Sequence, residues 1–450
     1  MTHIPHAESE LDPQRARRLR SLNQAEEPNA MTHAQQFINL SPADESAPGR
    51  YSPVPAVPPL ANLVGAAAEL VPVLKERGQA TEAARRVSAE TIDAFRRAGF
   101  FKLMQPGRYG GYEYGFTAFI DIISELGRGC TSSAWNCAIG SIHQWLIAGF
   151  PAEAQDDVWK SNPDAFACVS YAPTGTTEVV DGGFLIHGKW QFVSNVDNSQ
   201  WVIVGALFPS ADKGAAPSPG FLLVPQSEYT IEDTWNVAGQ AGTGSKTVVI
   251  AKPTFVPQHR RLMIADVAAG NSPGSALYTN RIYRIPMLSA LPVCLVSPLL
   301  GTALGAVEEF IQLCGSRVTR GAVGGGGNRL SEFFPVQSKL AEASAMADAA
   351  RLMINRDTAE VESLTMMGRA LTVDQRIRNR RDHAFAARLA RDAVDVLFSA
   401  VGGSGLALDQ PIQRMWRDSS AIVRHITLNW DGVSSMVGQH LLGLTPKGQY

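Results

Sequence analysis

No CxxC pair occurs in the chain, and the five cysteines among its 450 residues (Cys130, Cys137, Cys168, Cys294, Cys314) are scattered and odd in number. A disulfide framework and a structural zinc site are therefore not expected, and the thiols read as buried and reduced. An excess of either charge is also missing: 40 Lys and Arg stand against 42 Asp and Glu, a net of −2. Such a balance gives no field to draw the chain to nucleic acid or an anionic membrane. Uninterrupted apolar runs are short. The longest, "MLSALPVCLVSPLL" at 287–300, is broken by Pro292 and Pro298 and falls below the length that spans a bilayer. The first residues lack the apolar segment of a secretory signal, so a cytoplasmic protein is expected. Disorder is excluded by composition, since 45% of residues are hydrophobic and 18% charged.

What is present divides by periodicity. Residues 1–58 carry none, end in "SPVPAVPPL" and are expected to form a flexible tail. Over 59–165 apolar residues recur at helical spacing. Ser88 with Glu90 marks a helix start, Gly99 its end, and Gly127 with Gly129 the end of a later helix. Over 166–270 the period becomes two, in short segments such as "WVIVGALF" and "GFLLVP", which predicts an antiparallel sheet or barrel. Over 271–450 long alanine-rich helical patterns return, fit for a four-helix bundle. The expected class is α+β and multidomain.

Near the end, "RDSSAIVRHITLNWDG" (417–432) reads as the last helix and sets His425 among Ile422, Ile426 and Leu428. At helical spacing its neighbours include no carboxylate, and Asp418 lies about 10 Å back along the axis. Only tertiary neighbours can then set the charge of the imidazole. Arg414 and Asp418 suit a helix ion pair. Arg417 and Asp418 read as structural, and Asp431 as a helix-end acid.

Four segments then point to one family. "GFLIHGKWQFVSNVDNSQWVIVGAL", "TWNVAGQAGTGSKTVVI", "NRLSEFFPVQSKLAEA" and "VGGSGLALDQPIQRMWRD" resemble, in order, the strand segment, domain linker, Arg-x-x-x-x-Phe-x-x-Gln motif and glycine-loop helix of the acyl-CoA dehydrogenase fold. "VSYAPTGTTEVVDGG" and "RHITLNWDG" depart from the dehydrogenases. With "GRGCTSSAWNCAIGSIHQWLIAGFP" they resemble instead the two-component flavin-dependent aromatic monooxygenases on that fold, of the 4-hydroxyphenylacetate, polyketide and indole hydroxylase type.

That resemblance implies reduced FAD or FMN delivered by a separate NAD(P)H:flavin reductase, and O2 captured as a flavin C4a-hydroperoxide. An aromatic substrate (phenolic, polyketide or indolic) is then hydroxylated in a tetramer or dimer. It implies that Ser194 meets flavin N5, where the alternative is a strand-end hydroxyl on a backbone group. It places Ser170 near the ring, and His143 as a substrate partner where a satisfied core histidine is the alternative. His425 would face flavin and substrate. Trp190, Arg329, Gly402 and Gly403 would hold the cofactor, with Gly405 in the same loop, and Trp145 would contact substrate. The glycine run 324–327 reads as a flexible connection. Other readings of the fold are an acyl-CoA dehydrogenase with a relocated base, a thiophene sulfur oxidase, and a DNA-binding relative, the last disfavoured by the charge balance. No metal is expected.

Overall fold

The computed structural model describes residues 56–209, 215–318 and 329–450; the glycine run 324–327 and nearly all of the expected tail lie outside these described residues. Helix α1 (Leu60–Ala84) starts behind Pro59 and continues through Pro72. Ser88 then caps α2 (Ala89–Arg97), accepting a bond from the Thr91 N–H at 3.2 Å. Glu90 in its first turn and Arg96 and Arg97 in its last oppose the helix dipole. Gly99, at φ +78°, turns the chain out, as expected.

Next come α3 (Phe116–Gly129), α4 (Thr131–Ile147) and α5 (Ala152–Trp159). Gly127 does not stop α3, contrary to the sequence reading. A Cβ there would stand 2.5 Å from the Pro298 carbonyl, and one on Gly301 would stand 2.0 Å from that of Ser124. The two glycines let α3 and α8 (Val293–Ser316) touch backbone to backbone. Every residue of α4 is buried, so this helix is apolar in surroundings on all sides.

Among the described residues eight strands follow: β1 (Ala167–Ser170), β2 (Thr176–Val180), β3 (Gly183–Val193), β4 (Trp201–Phe208), β5 (Ser218–Pro225), β6 (Thr230–Glu232), β7 (Lys246–Pro257) and β8 (Arg261–Met263). They form two four-stranded sheets, ordered β1-β4-β5-β8 and β2-β3-β7-β6. Pairing is antiparallel as expected with one exception, β1 beside β4, which is parallel with Ala167 opposite Trp201. The β2–β3 hairpin, lodged in the other sheet, serves as the crossover that a parallel pair requires.

After α6 (Ile264–Ala268) and α7 (Met287–Ala290), the bundle is built by α8, α9 (Phe334–Met366), α10 (Val373–Ala400) and the short α11 (Pro411–Ile422), with α12 (Trp430–Leu441) packed on α10. Met287–Ser316 is apolar enough to cross a membrane, yet 89% of its most apolar window is buried inside the protein; it is a core helix. One continuous hydrophobic cluster runs from α1 through α11, and a second fills the space between the sheets. The five cysteines are free and buried, as expected. The last helix is not continuous. It breaks after Ile422, so His425 stands in a turn rather than on a helix face.

Candidate active site

Strand β3 leaves its ladder between Trp190 and Val193, with Phe192 at φ +61° and Asn195 at φ +63°. This strained corner sorts the side chains. Trp190 stays inside, wholly buried, its indole N–H donating to the Gly205 carbonyl at 3.0 Å. A Cβ on Gly175 would stand 2.1 Å from its ring. Trp190, expected to hold cofactor, is here packed in the core. Phe192 is thrown out instead, 69% exposed and edge-on to Trp235 at 6.1 Å.

Ser194 follows, half-buried. Its Oγ accepts the Trp135 indole N–H at 3.0 Å and bonds Ser245 Oγ at 2.8 Å. Ser245 bonds Thr243 Oγ1 at 2.7 Å, and Thr243 donates to the Gln240 carbonyl at 2.7 Å. Gln240, itself at φ +59°, gives its backbone N–H to buried Asp418 at 2.6 Å. Burial pushes the Asp418 carboxyl up to about 6. Arg417 bonds Glu82 and the Ala238 carbonyl. Both residues are structural, as expected, and they tie α11 to the 238–245 loop. The expected Arg414–Asp418 pair is not among the ion pairs of the described residues; Arg414 lies against Gly78 of α1.

His425 caps the turn Ile426–Leu428, its Nδ1 accepting the Thr427 N–H at 3.2 Å. A nitrogen that accepts carries no proton, so the neutral ring holds its hydrogen on Nε2 and presents a donor. Burial and the nearby Arg380 guanidinium push its pKa down to about 4. Arg380 fixes the same turn by donating to the Thr427 carbonyl at 3.0 Å. Ile426, expected as apolar company, is 85% exposed. The company comes from α4: the rings of Trp135 and His425 lie 6.3 Å apart. One indole therefore touches both His425 and Ser194.

The remaining expected residues divide. His143 lies two turns beyond Trp135 on α4, about 12 Å along the axis. It is buried, Nδ1–H donating to the Ala167 carbonyl at 2.8 Å. Nε2 is left as an acceptor, and burial pushes the pKa down to about 4. Ser170 donates to the Gln191 carbonyl at 2.9 Å. Trp145 is buried against Phe116, its N–H committed to the Ile282 carbonyl at 2.8 Å. The side chain expected to contact substrate thus packs in the core. Arg329 is exposed and pairs by backbone with Val318. Next to it, Arg317 donates to the Val401 carbonyl and to Ser404 at 3.2 and 2.8 Å, which brings the Gly402–Gly403 loop to the same surface. Gly402 sits at φ +72°. Sequence reasoning missed Trp135 as a site residue, and Ser245, Thr243, Gln240 and Phe192 altogether. The small hydroxyls of "GTGSK" were the available signal.

Residues 66–161 match the acyl-CoA dehydrogenase N-terminal domain, and residues 293–430 its C-terminal domain. The chain is 44% identical over 406 residues to the oxygenase component of an FADH(2)-dependent resorcinol hydroxylase from Rhizobium sp. (strain MTP-10005), covering 89% of this chain and 99% of that one. The chain belongs to the flavin-dependent monooxygenases of the acyl-CoA dehydrogenase family. Solved structures agree with this placement. The monooxygenase superposes on the HsaA monooxygenase from M. tuberculosis with a TM-score of 0.81 at 32% identity, covering 87% of this chain and all of that one. Against XiaF from Streptomyces sp., solved with FADH2 and glycerol, the TM-score is 0.78 at 26% identity, over 86% and 97% of the two chains.

Proposed function

We propose that this monooxygenase is the oxygenase component of a two-component system, hydroxylating a phenolic ring with O2 and reduced flavin supplied by a separate NAD(P)H:flavin reductase. The carrying observation is Trp135, which joins Ser194 and His425 at one half-buried place. The residues there fit a flavin. Gln240 is buried with both side-chain amide atoms unpartnered in the protein. A free donor beside a free acceptor complements a heterocycle that alternates N–H and C=O. Ser194 and Gln240 would hold the isoalloxazine, and Arg329 with the Gly402–Gly405 loop of a neighbouring copy would hold the phosphate of FAD or FMN. Bound there, reduced flavin supplies the electrons that activate O2.

The chain's own groups do the rest. Trp135 and the buried face of α4 exclude water. His425 offers a fixed Nε2–H donor where negative charge develops on oxygen. His143 offers Nε2 as acceptor for a phenol proton, which enriches the ring in electrons, and Ser170, at the far end of β1, would stand near the ring. A dehydrogenase would need a carboxylate base free to face the flavin; Asp418 is tied to the Gln240 N–H. The assembly is a homo-oligomer, a tetramer or at least a dimer, in the cytoplasm. The test is turnover of phenols with FAD or FMN and NADH, with and without an added flavin reductase. Hydroxylated product that requires the reductase, or chemically reduced flavin in its place, supports the reading. Reduction of bound flavin by an acyl-CoA would overturn it.

A further inference from the structure

The hydroxyls behind Ser194 form a chain whose direction is fixed by counting protons. Gln240 ends it with a carbonyl, which can only accept, and that carbonyl takes the Thr243 Oγ1 hydrogen at 2.7 Å. A hydroxyl has one hydrogen. Thr243 can then only accept from Ser245, at 2.7 Å, and Ser245 can only accept from Ser194, at 2.8 Å. At the other end the Trp135 indole, which can only donate, occupies one lone pair of Ser194 Oγ at 3.0 Å. Every hydrogen runs one way, from Trp135 toward Gln240. Ser194 is left with no hydrogen to give and one lone pair open. Thr243 and Ser245 are buried, so water does not compete for their bonds. Two further bonds hold the ends in place, the Asn195 backbone N–H on the Thr243 carbonyl at 3.0 Å and the Trp235 indole N–H on the Gln240 carbonyl at 2.9 Å.

We propose that Thr243 and Ser245 are positioning residues which make Ser194 an obligatory hydrogen-bond acceptor, so that the site selects a flavin whose N5 carries hydrogen over one whose N5 is bare. The inference rests on the flavin reading above. Reduced flavin has an N5–H to donate into the open lone pair of Ser194. Oxidised flavin has only a lone pair at N5, and meeting Ser194 it either leaves two acceptors facing or breaks a buried bond of the chain. The device suits an oxygenase that must take up reduced flavin and release the oxidised form after turnover.

The test is binding, not turnover: anaerobic titration of the full chain with reduced flavin, and aerobic titration with oxidised flavin, for wild type, Ser245→Ala and Thr243→Val. Either substitution frees a hydrogen of Ser194 to turn outward. Affinity for oxidised flavin should then rise relative to reduced by about tenfold, equivalent to lowering the two-electron potential of bound flavin by about 30 mV. Thr174→Ala removes a hydroxyl bonded to the Lys189 carbonyl outside the chain and should leave the ratio alone. Equal weakening toward both redox states, or an unchanged ratio in both variants, would overturn the assignment while leaving the flavin reading intact. Wild type that binds neither form would overturn both.

Discussion

His425 shows how far a single residue can be read from sequence. Its apolar neighbours and missing carboxylate partner were visible, and the ring is held neutral, as burial beside Arg380 requires. The partner that matters, Trp135, comes from a helix 290 positions earlier and reads in isolation as core. His425→Ala removes the Nε2–H donor without touching a helix. It is expected to fold normally while the yield of hydroxylated product per O2 falls by about a hundredfold or more, measured as product against hydrogen peroxide. Trp135→Phe keeps the ring but not the N–H, and should weaken reduced-flavin affinity by several-fold in an anaerobic titration. A normal affinity would separate the indole from the site. Buried imidazoles also set the acid stability. Burial pushes His143 down to about 4 and His383 to about 3. Below about pH 6.5 the unfolded chain takes up protons that these folded residues refuse, so stability falls as pH drops. Asp357 and Asp418, raised to about 6, act in the opposite sense, losing stabilisation as pH rises through about 4 to 6. Between about pH 6 and pH 7 the imidazoles, His425 included, gain more than the last titration of the two carboxyls takes away, and stability should rise by on the order of 1 kcal/mol. Denaturant midpoints that stay flat over that range would contradict their burial.

At the scale of elements, periodicity located the helices and strands, and the Ser88 cap and the Gly99 exit fell where local chemistry put them. What failed was non-local. Gly127 read as a stop because the glycine of α8 that it meets lies far off in sequence. The break after Ile422 was hidden because "AIVRHITL" keeps helical spacing while Arg380 and Thr427 hold the backbone in a turn. The parallel β1–β4 pair depends on a hairpin assigned to the other sheet. The glycine contact gives a direct check. Gly301→Ala forces α3 and α8 apart and should cost about 1–3 kcal/mol, read as a lower denaturant midpoint with an unchanged slope. An exposed alanine substitution of glycine at Gly315, where a Cβ meets nothing, should not destabilise.

On the scale of the whole molecule, the order helix, sheet, bundle was legible because each part changes period, and four spaced motifs carried the family. The site was legible in part: Ser194 and His425 both contact Trp135, His143 stands along the same helix, and Trp190 and Trp145 pack in the core, where an indole buried for stability looks the same in sequence as one facing a ligand. The bundle also leaves Phe334, Leu352, Leu406 and Leu408 exposed in one chain, and a neighbouring copy is expected to cover them. Sedimentation should show a dimer or tetramer, and Leu352→Glu should shift it toward smaller species; a wild-type monomer would contradict the shared flavin phosphate site. The most direct test is a single turnover: full chain loaded anaerobically with one equivalent of reduced flavin and a phenol, mixed with O2, for wild type and His425→Ala. The expected result is hydroxylated phenol near one equivalent from wild type and hydrogen peroxide in its place from the variant. Peroxide alone from both, or equal hydroxylation by both, would contradict a hydroxylating site built on Ser194, Trp135 and His425.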